Sequence, residues 1–270
     1  MDPLDATSAD TPSAGRPPRS RGATAPDPGP DASAEPLGKR ARNRQAVEAD
    51  ILRVAREHLA TDGAAALSLR AVARDLGMVS SGIYRYVESR DELLTRLIID
   101  SYWSLATTVR AAHDAVARED LEGRWDALGR ALRSWALEQP HDFALIYGSP
   151  VPDYAAPAER TEEAGTAVLA LLVTLLDDVR KAGRLPPPEH LGLVDARARQ
   201  AVGDLLEAPM FTGARLDATS LAQGIAAWTL LLGAVTSEVF SQLGPVPDGA
   251  ALFDCLLAAS RSCVISPARD

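Results

Sequence analysis

Between residues 79 and 90 the chain sets out "VSSGIYRYVESR", a run dense in side chains that can donate hydrogen bonds to an anion. Ser80, Ser81 and Gly82 are small, which allows close approach of a backbone and hydroxyl contacts to polar edges. Tyr84, Arg85 and Tyr86 follow directly, and each carries a phenol or guanidinium suited to phosphate oxygens. Arg90 opens the next helical pattern, where the positive end of a helix dipole disfavours a cation. A negatively charged partner would explain its presence there.

These side chains need short, rigid elements to hold them. Val47, Ile51, Val54, Ala55 and Leu59 form one apolar stripe, so the spacing predicts a helix from Arg44 to about Thr61, stopped by Asp62-Gly63. Ser68 is placed to cap a second helix, with Leu69, Val72, Ala73 and Leu76 on its buried side and Gly77 at its end. A third starts around Val79 or Ser80. Ser89 followed by Glu92 is a capping-box signature for a fourth, buried through Leu94, Leu97 and Ile98. Two helices of about eight residues are too short to stand alone and need the first as a platform. In such a pair the second helix projects its N-terminal residues outward, where a duplex major groove accepts them. An ordinary helical hairpin with half-buried tyrosines would show the same spacing. Local positive charge, the paired serines and Arg90 favour the nucleic-acid reading.

Charge is divided along the chain in the same sense. The whole carries a net charge of −9, but residues 39–98 hold 11 basic and 8 acidic side chains. Residues 99–270 hold 14 and 23, and residues 1–38 hold 3 and 6. Nucleic-acid binding needs positive charge to displace counterions, so only the 39–98 segment suits it. Residues 1–38 are rich in Pro, Ala, Ser, Gly and Asp and are expected to form a disordered tail. "KRARNR" at 39–44 is either a solvated helix entrance or an arm reaching phosphates or the minor groove.

The stretch "GMVSSGIYRYVESRDELL", residues 77–94, resembles the DNA-binding domain of TetR-type transcriptional regulators, and the likeness extends over 44–94. It implies phosphate contacts from Tyr84, Arg90 and Tyr86, and base-edge contacts from Ser80, Ser81 and Gly82. Ser68 and Arg70 match positions that contact the backbone and at times a guanine. Val79 stands where the family commonly has Ser or Thr, which opens a shift of the cap to Ser80 and of the contact register by one residue. "HDFALIYGSPVPDYAAP" (141–157) and "AWTLLLGAVTSEVF" (227–240) are similar to the C-terminal domain of a TetR subgroup common in high-GC actinobacteria. In that subgroup a Gly often follows the second Pro of "SPVP"; here it is Asp153.

Beyond residue 100 the pattern is helical, with spans expected near 91–117, 121–139, 158–183, 189–208, 217–243 and 248–265. The fold class is all-α: a three-helix helix-turn-helix domain at 39–98 and a larger effector-binding and dimerisation domain at 99–270. Leu221, Ile225, Trp228, Leu232, Val235 and Val239 repeat every 3.5 residues, a seam for another helix. With Phe253, Leu256 and Leu257 of the following helix they are expected to form a four-helix homodimer interface. Trp103, Trp125, Trp135, Phe143, Tyr147, Trp228 and Phe240 are the aromatic candidates for a small-molecule pocket. Glu238 sits within an apolar pattern, as a buried hydrogen-bonding group or a rim residue.

Other classes fare poorly. There is no G-x-S-x-G elbow, no H-E-x-x-H or Cys/His metal spacing and no phosphate-cradling glycine loop, so neither catalysis nor a cofactor or metal is expected. Cys255 and Cys263 read as small buried hydrophobes, consistent with a reducing cytoplasm. No apolar run is read as membrane-spanning, and the N-terminus does not read as a secretory signal. Together these features point to a cytoplasmic regulator, most simply a repressor released from a palindromic operator by an effector. The alternative is a DNA-binding protein whose body is a dimerisation or partner scaffold without a ligand.

Overall fold

The computed structural model describes residues 38–187, 189, 196–207, 211 and 215–267, and among these there is no strand. The expected tail lies outside them. The helices run α1 (Lys39–Asp62), α2 (Leu69–Asp75), α3 (Ser80–Ile83), α4 (Arg90–Asp114) and α5 (Leu121–Glu138). They continue as α6 (Pro140–Tyr147), α7 (Ala158–Lys181), α8 (Ala196–Leu205), α9 (Ala218–Val239) and α10 (Gly249–Ser262).

Two apolar clusters organise them. Ile51, Val54 and Leu59 of α1 meet Leu69 and Val72 of α2, Ile83 of α3 and Leu93, Leu94 and Leu97 of α4, all buried. The second cluster joins α4, α5, α6, α7, α9 and α10 around Leu105, Leu128, Trp135, Phe143, Leu175, Leu231 and Leu257. Gly129 lets α5 approach α10, because a Cβ there would collide with Leu257. The expected boundary after Ile98 falls inside α4, which feeds side chains to both clusters.

Several elements depart from the sequence reading. α1 begins at Lys39, five residues before the expected start, so "KRARNR" is helical rather than an extended arm. α6 was expected as loop because of Pro140. Proline at the first helical position loses no intrahelical bond, and the eight-residue helix follows from it. α9 is long and apolar enough by composition to cross a bilayer, with a mean hydropathy of 1.4, a property the sequence reading passed over. Nearly half of it, 44%, is packed inside this helical body, as in a core helix, and it does not mark a membrane protein. Cys255 is exposed and Cys263 half-buried, so neither is the buried hydrophobe expected.

Candidate nucleic-acid interface and the helical body

The turn between α2 and α3 is set by Gly77, whose φ of +66° lies in the left-handed region where a Cβ would be strained. The chain then enters α3 with Val79 as the N-terminal flanking residue and no side-chain cap, so the cap does not move to Ser80. Ser68 flanks α2 in the same way without a side-chain hydrogen bond. Neither hydroxyl is consumed by capping its helix. By contrast, Ser89 accepts from the Glu92 backbone N–H at 3.0 Å, the expected half of a capping box. The Glu92 carboxylate does not close the box, because Arg96 at 2.6 Å and Arg160 of α7 at 2.5 Å hold it. The Arg160 hydrogen bond is the main reason its pKa falls below the ordinary carboxylate value, with Arg96 adding to it against partial burial.

α3 has a single helical turn, four residues rather than about eight, and this sorts its side chains. Val79 is 74% exposed and Tyr84 47% exposed, and Ser80, Ser81, Arg85 and Arg70 are exposed with them. Gly82 is buried beside Ile83, its Cα facing Val79 and Met78. Its expected place at base edges is therefore corrected: the helical repeat turns Gly82 and Ile83 to the core. Tyr86 is half-buried against the α1–α4 cluster, with the guanidinium of Arg44 5.7 Å from its ring centre and that of Arg85 at 6.0 Å. Arg44 of the basic run is thus brought onto the ring that follows α3.

Arg90 has partners inside the protein. Its Nη2 donates to the carbonyls of Ala64 and Ala65, each at 3.1 Å, and Nη1 lies 3.5 Å from Asp91. Those carbonyls belong to the short 3-10 turn Ala64–Ala66 between α1 and α2, so the cation at the α4 entrance ties the α1–α2 connection in place. Sequence reasoning assigned it to an outside anion because the turn was not visible as a partner.

The body joins this head through α6. Asp142, buried, accepts from Ser101 Oγ of α4 at 2.5 Å and from Arg56 Nε of α1 at 3.2 Å; Arg56 also pairs with Asp100. Burial opposes the charge of Arg56, and the Asp100 and Asp142 carboxylates outweigh it and raise its pKa. The "SPVPDY" loop docks on the head: Val151 and Tyr154 pack against its apolar cluster, beside Leu145 of α6. The Tyr154 hydroxyl meets Thr95 Oγ1 at 2.9 Å. Asp153 adopts φ +58°, a conformation glycine takes freely.

Behind α6 lies an aromatic chain. Phe143 and Tyr147 have ring centres 5.3 Å apart, Tyr147 and Trp228 6.4 Å, and Tyr147 and Tyr102 6.2 Å. Burial pushes the pKa of the Tyr147 hydroxyl up from its ordinary value, with Tyr102 adding to it. Beyond Trp228 a cavity of about 280 Å³ opens between α5, α7, α8 and α9, with Trp125, Leu172, Leu176, Leu221, Ile225 and Phe211 in its wall. Of the pocket aromatics expected from sequence, Trp125 and Trp228 line it. Trp135 and Phe143 are fully buried core, Tyr147 belongs to the aromatic chain, and Trp103 and Phe240 are 41% and 38% exposed, so these five are corrected. The wall is mostly aliphatic α7, which no sequence pattern distinguishes from ordinary core.

The expected dimer seam divides similarly. Leu221, Val235, Phe253 and Leu257 are at most 4% exposed within one chain, so they cannot face a second copy. Ile225 is exposed, and Leu232, Val239 and Leu256 stay partly open. Glu238 resolves as an internal tie: Arg133 of α5 grips both its oxygens, at 2.7 and 2.6 Å. His113 is buried and accepts from Arg124 Nε at 3.0 Å, whereas His141 is exposed.

Comparison with known proteins decides the family. Residues 51–97 match the description "Bacterial regulatory proteins, tetR family", and residues 125–260 match "Tetracyclin repressor-like, C-terminal domain". The HTH-type transcriptional regulator Rv1816 of Mycobacterium tuberculosis (strain ATCC 25618 / H37Rv) is 38% identical over 232 residues, covering 81% of this chain and 92% of that protein. The chain belongs to the TetR family. The Mycobacterium bovis regulator Mb1846 shows the same identity over the same share. The crystal structure of the regulatory protein SCO4313 superposes with a TM-score of 0.66 at 34% identity, over 83% of this chain and 98% of that one. A protein from Rhodococcus sp. RHA1, at 22% identity and a TM-score of 0.57, shares the fold. As a TetR-family member the chain is a DNA-binding transcriptional regulator, and its family is regulatory. The α2–α3 surface is its helix-turn-helix.

Proposed function

We propose that this regulator is a cytoplasmic homodimeric repressor that binds a short palindromic operator and is released by a small-molecule effector. The exposed set Arg70, Ser80, Ser81, Tyr84 and Arg85, unspent on internal bonds and set in the only net-positive stretch, carries the proposal. Ser80 and Ser81 read base edges; Ser68, Arg70, Tyr84 and Arg85 hold phosphates. Tyr86 and Arg90 support that surface from behind, and the Tyr86 hydroxyl adds a phosphate contact. Residues 39–98 act as the head and 99–270 as the body.

Dimerisation uses the outer faces of α9 and α10. Ile225, Thr229 and Gly233 on α9 and Ala251, Cys255 and Ala258 on α10 are exposed, small or apolar, and little charged. A second chain packed there would cover the open half of the most apolar helix and bring two heads to adjacent half-sites. Effector binding in the cavity shifts the spacing of the heads through differential affinity for two conformations. The α6 contacts, Asp142 on Arg56 and Tyr147 on Trp228, join cavity to head.

Fluorescence anisotropy of the full chain on the DNA flanking its coding region, at two salt concentrations, tests the reading. Salt-sensitive binding that saturates at two chains per site supports it. Affinity no greater than for a random duplex of equal length argues against it.

A further inference from the structure

We propose that the effector is a neutral, mono-oxygenated hydrophobe of about a dozen carbon atoms, such as a medium-chain alcohol or a bicyclic alcohol, rather than an acid, an acyl conjugate or an amine. This rests on the regulator reading and names the ligand class of its cavity. The described wall carries no carboxylate, guanidinium, ammonium or amide side chain. Gln223, buried nearby on α9, spends its amide N–H on the Pro186 carbonyl at 2.8 Å. A charged group entering such a wall would lose its hydration with nothing in return.

Among the described lining residues, only the two indoles carry a polar side-chain atom. Trp125 Nε1–H is spent on Ser260 Oγ at 3.0 Å. Trp228 also lines the cavity, and its indole N–H has no acceptor among the described residues. One ligand oxygen, a hydroxyl or carbonyl, is what this donor can use. Size sets the other limit. A cavity of about 150 Å³ lined by similar side chains stays dry and takes a benzene. One of about 280 Å³ has room for roughly twice that, about a dozen carbons. A ligand there touches α7 and α9 at once and lies against Trp228, which meets Tyr147 of α6.

The test displaces the ten-carbon fluorophore 1-naphthylamine, uncharged at neutral pH and excited by transfer from tryptophan, with dodecanol, dodecanoate and dodecylamine at equal chain length. The expected order is dodecanol tighter than either ion by about tenfold or more, with a rise in Tm for the alcohol. Trp228→Phe should weaken dodecanol by about five- to tenfold while still binding the fluorophore. Val173→Trp should fill the space and abolish both, with its Tm confirming that it folds. Equal or tighter binding of dodecanoate or dodecylamine, an unchanged alcohol affinity in Trp228→Phe, or no fluorophore binding by the wild type would overturn the proposal. Operator binding measured on the same samples separates the two claims. If it persists while the alcohol fails, only the ligand class falls; if the alcohol binds and no operator does, the repressor reading falls.

Discussion

The head and the body use buried side chains for opposite ends. In the head, a small cluster from α1 to α4 is built on fully buried side chains such as Ile51, Ile83 and Leu94, and the polar chemistry is pushed outward onto a single helical turn. In the body, a larger cluster leaves a void, and Trp125 in its wall donates its indole N–H to Ser260. A surface that must fit a rigid duplex gains from a backing that does not yield. A receptor that must report occupancy gains from space whose walls belong to several helices. α6 belongs to both regions, through Asp142 on one side and Phe143 on the other.

That contrast can be broken most severely at Phe143. Truncation to Ala should cost about 3–5 kcal/mol, read as a lower urea midpoint, because the ring is fully buried between α6 and its neighbours. A loss under about 1 kcal/mol would mean that α6 is not held by the body core. Next come two arginines, Arg90, which the structure ties internally, and Arg70, which it leaves exposed. Arg90→Ala should cost about 1–2 kcal/mol of stability as well as DNA affinity, because it leaves two turn carbonyls without their donor. Arg70→Ala should leave stability within about 0.5 kcal/mol and weaken operator binding by about tenfold, with the salt slope reduced by about one. Identical behaviour of the two variants would erase the distinction between support and contact.

Smaller effects sharpen the loop and the α4–α7 tie. Asp153→Val should cost about 1–2 kcal/mol and Asp153→Gly close to nothing, by thermal melting, since only the branched side chain resists φ +58°. Glu92 has a depressed folded pKa, so its contribution is present above the unfolded carboxylate value of about 4.3 and is lost as pH falls through the folded value. Glu92→Gln should therefore be less stable than wild type near neutrality and converge with it in acid. A difference that persists undiminished in acid would place the effect outside ionisation.

Much of the head was legible because its determinants are neighbours in sequence. Gly77, Ser89 and the α1 stripe each fix a local conformation through sterics or a hydrogen bond three or four residues away. The same locality misled at Arg90, whose partners lie about 25 residues back, and at Gly82, buried beside Ile83 where α3 packs on the head cluster. In the body the spacing of apolar residues announced helices α4, α5, α7, α9 and α10 but could not say which stripe faces its own chain. Leu221 and Ile225 are four residues apart on one helix, yet one is buried and the other exposed.

The sequence by itself determined the all-helical class, the turn that joins α2 to α3, the charge division and the resemblance to one family. Each rests on backbone sterics, short-range periodicity or local composition. Tertiary structure alone decided that Arg90 is a tie, that Asp142 joins head to body, and that the cavity takes Trp125 and Trp228 but leaves out Trp135. Those outcomes depend on where helices distant in sequence meet, and a side chain's environment is set by that meeting.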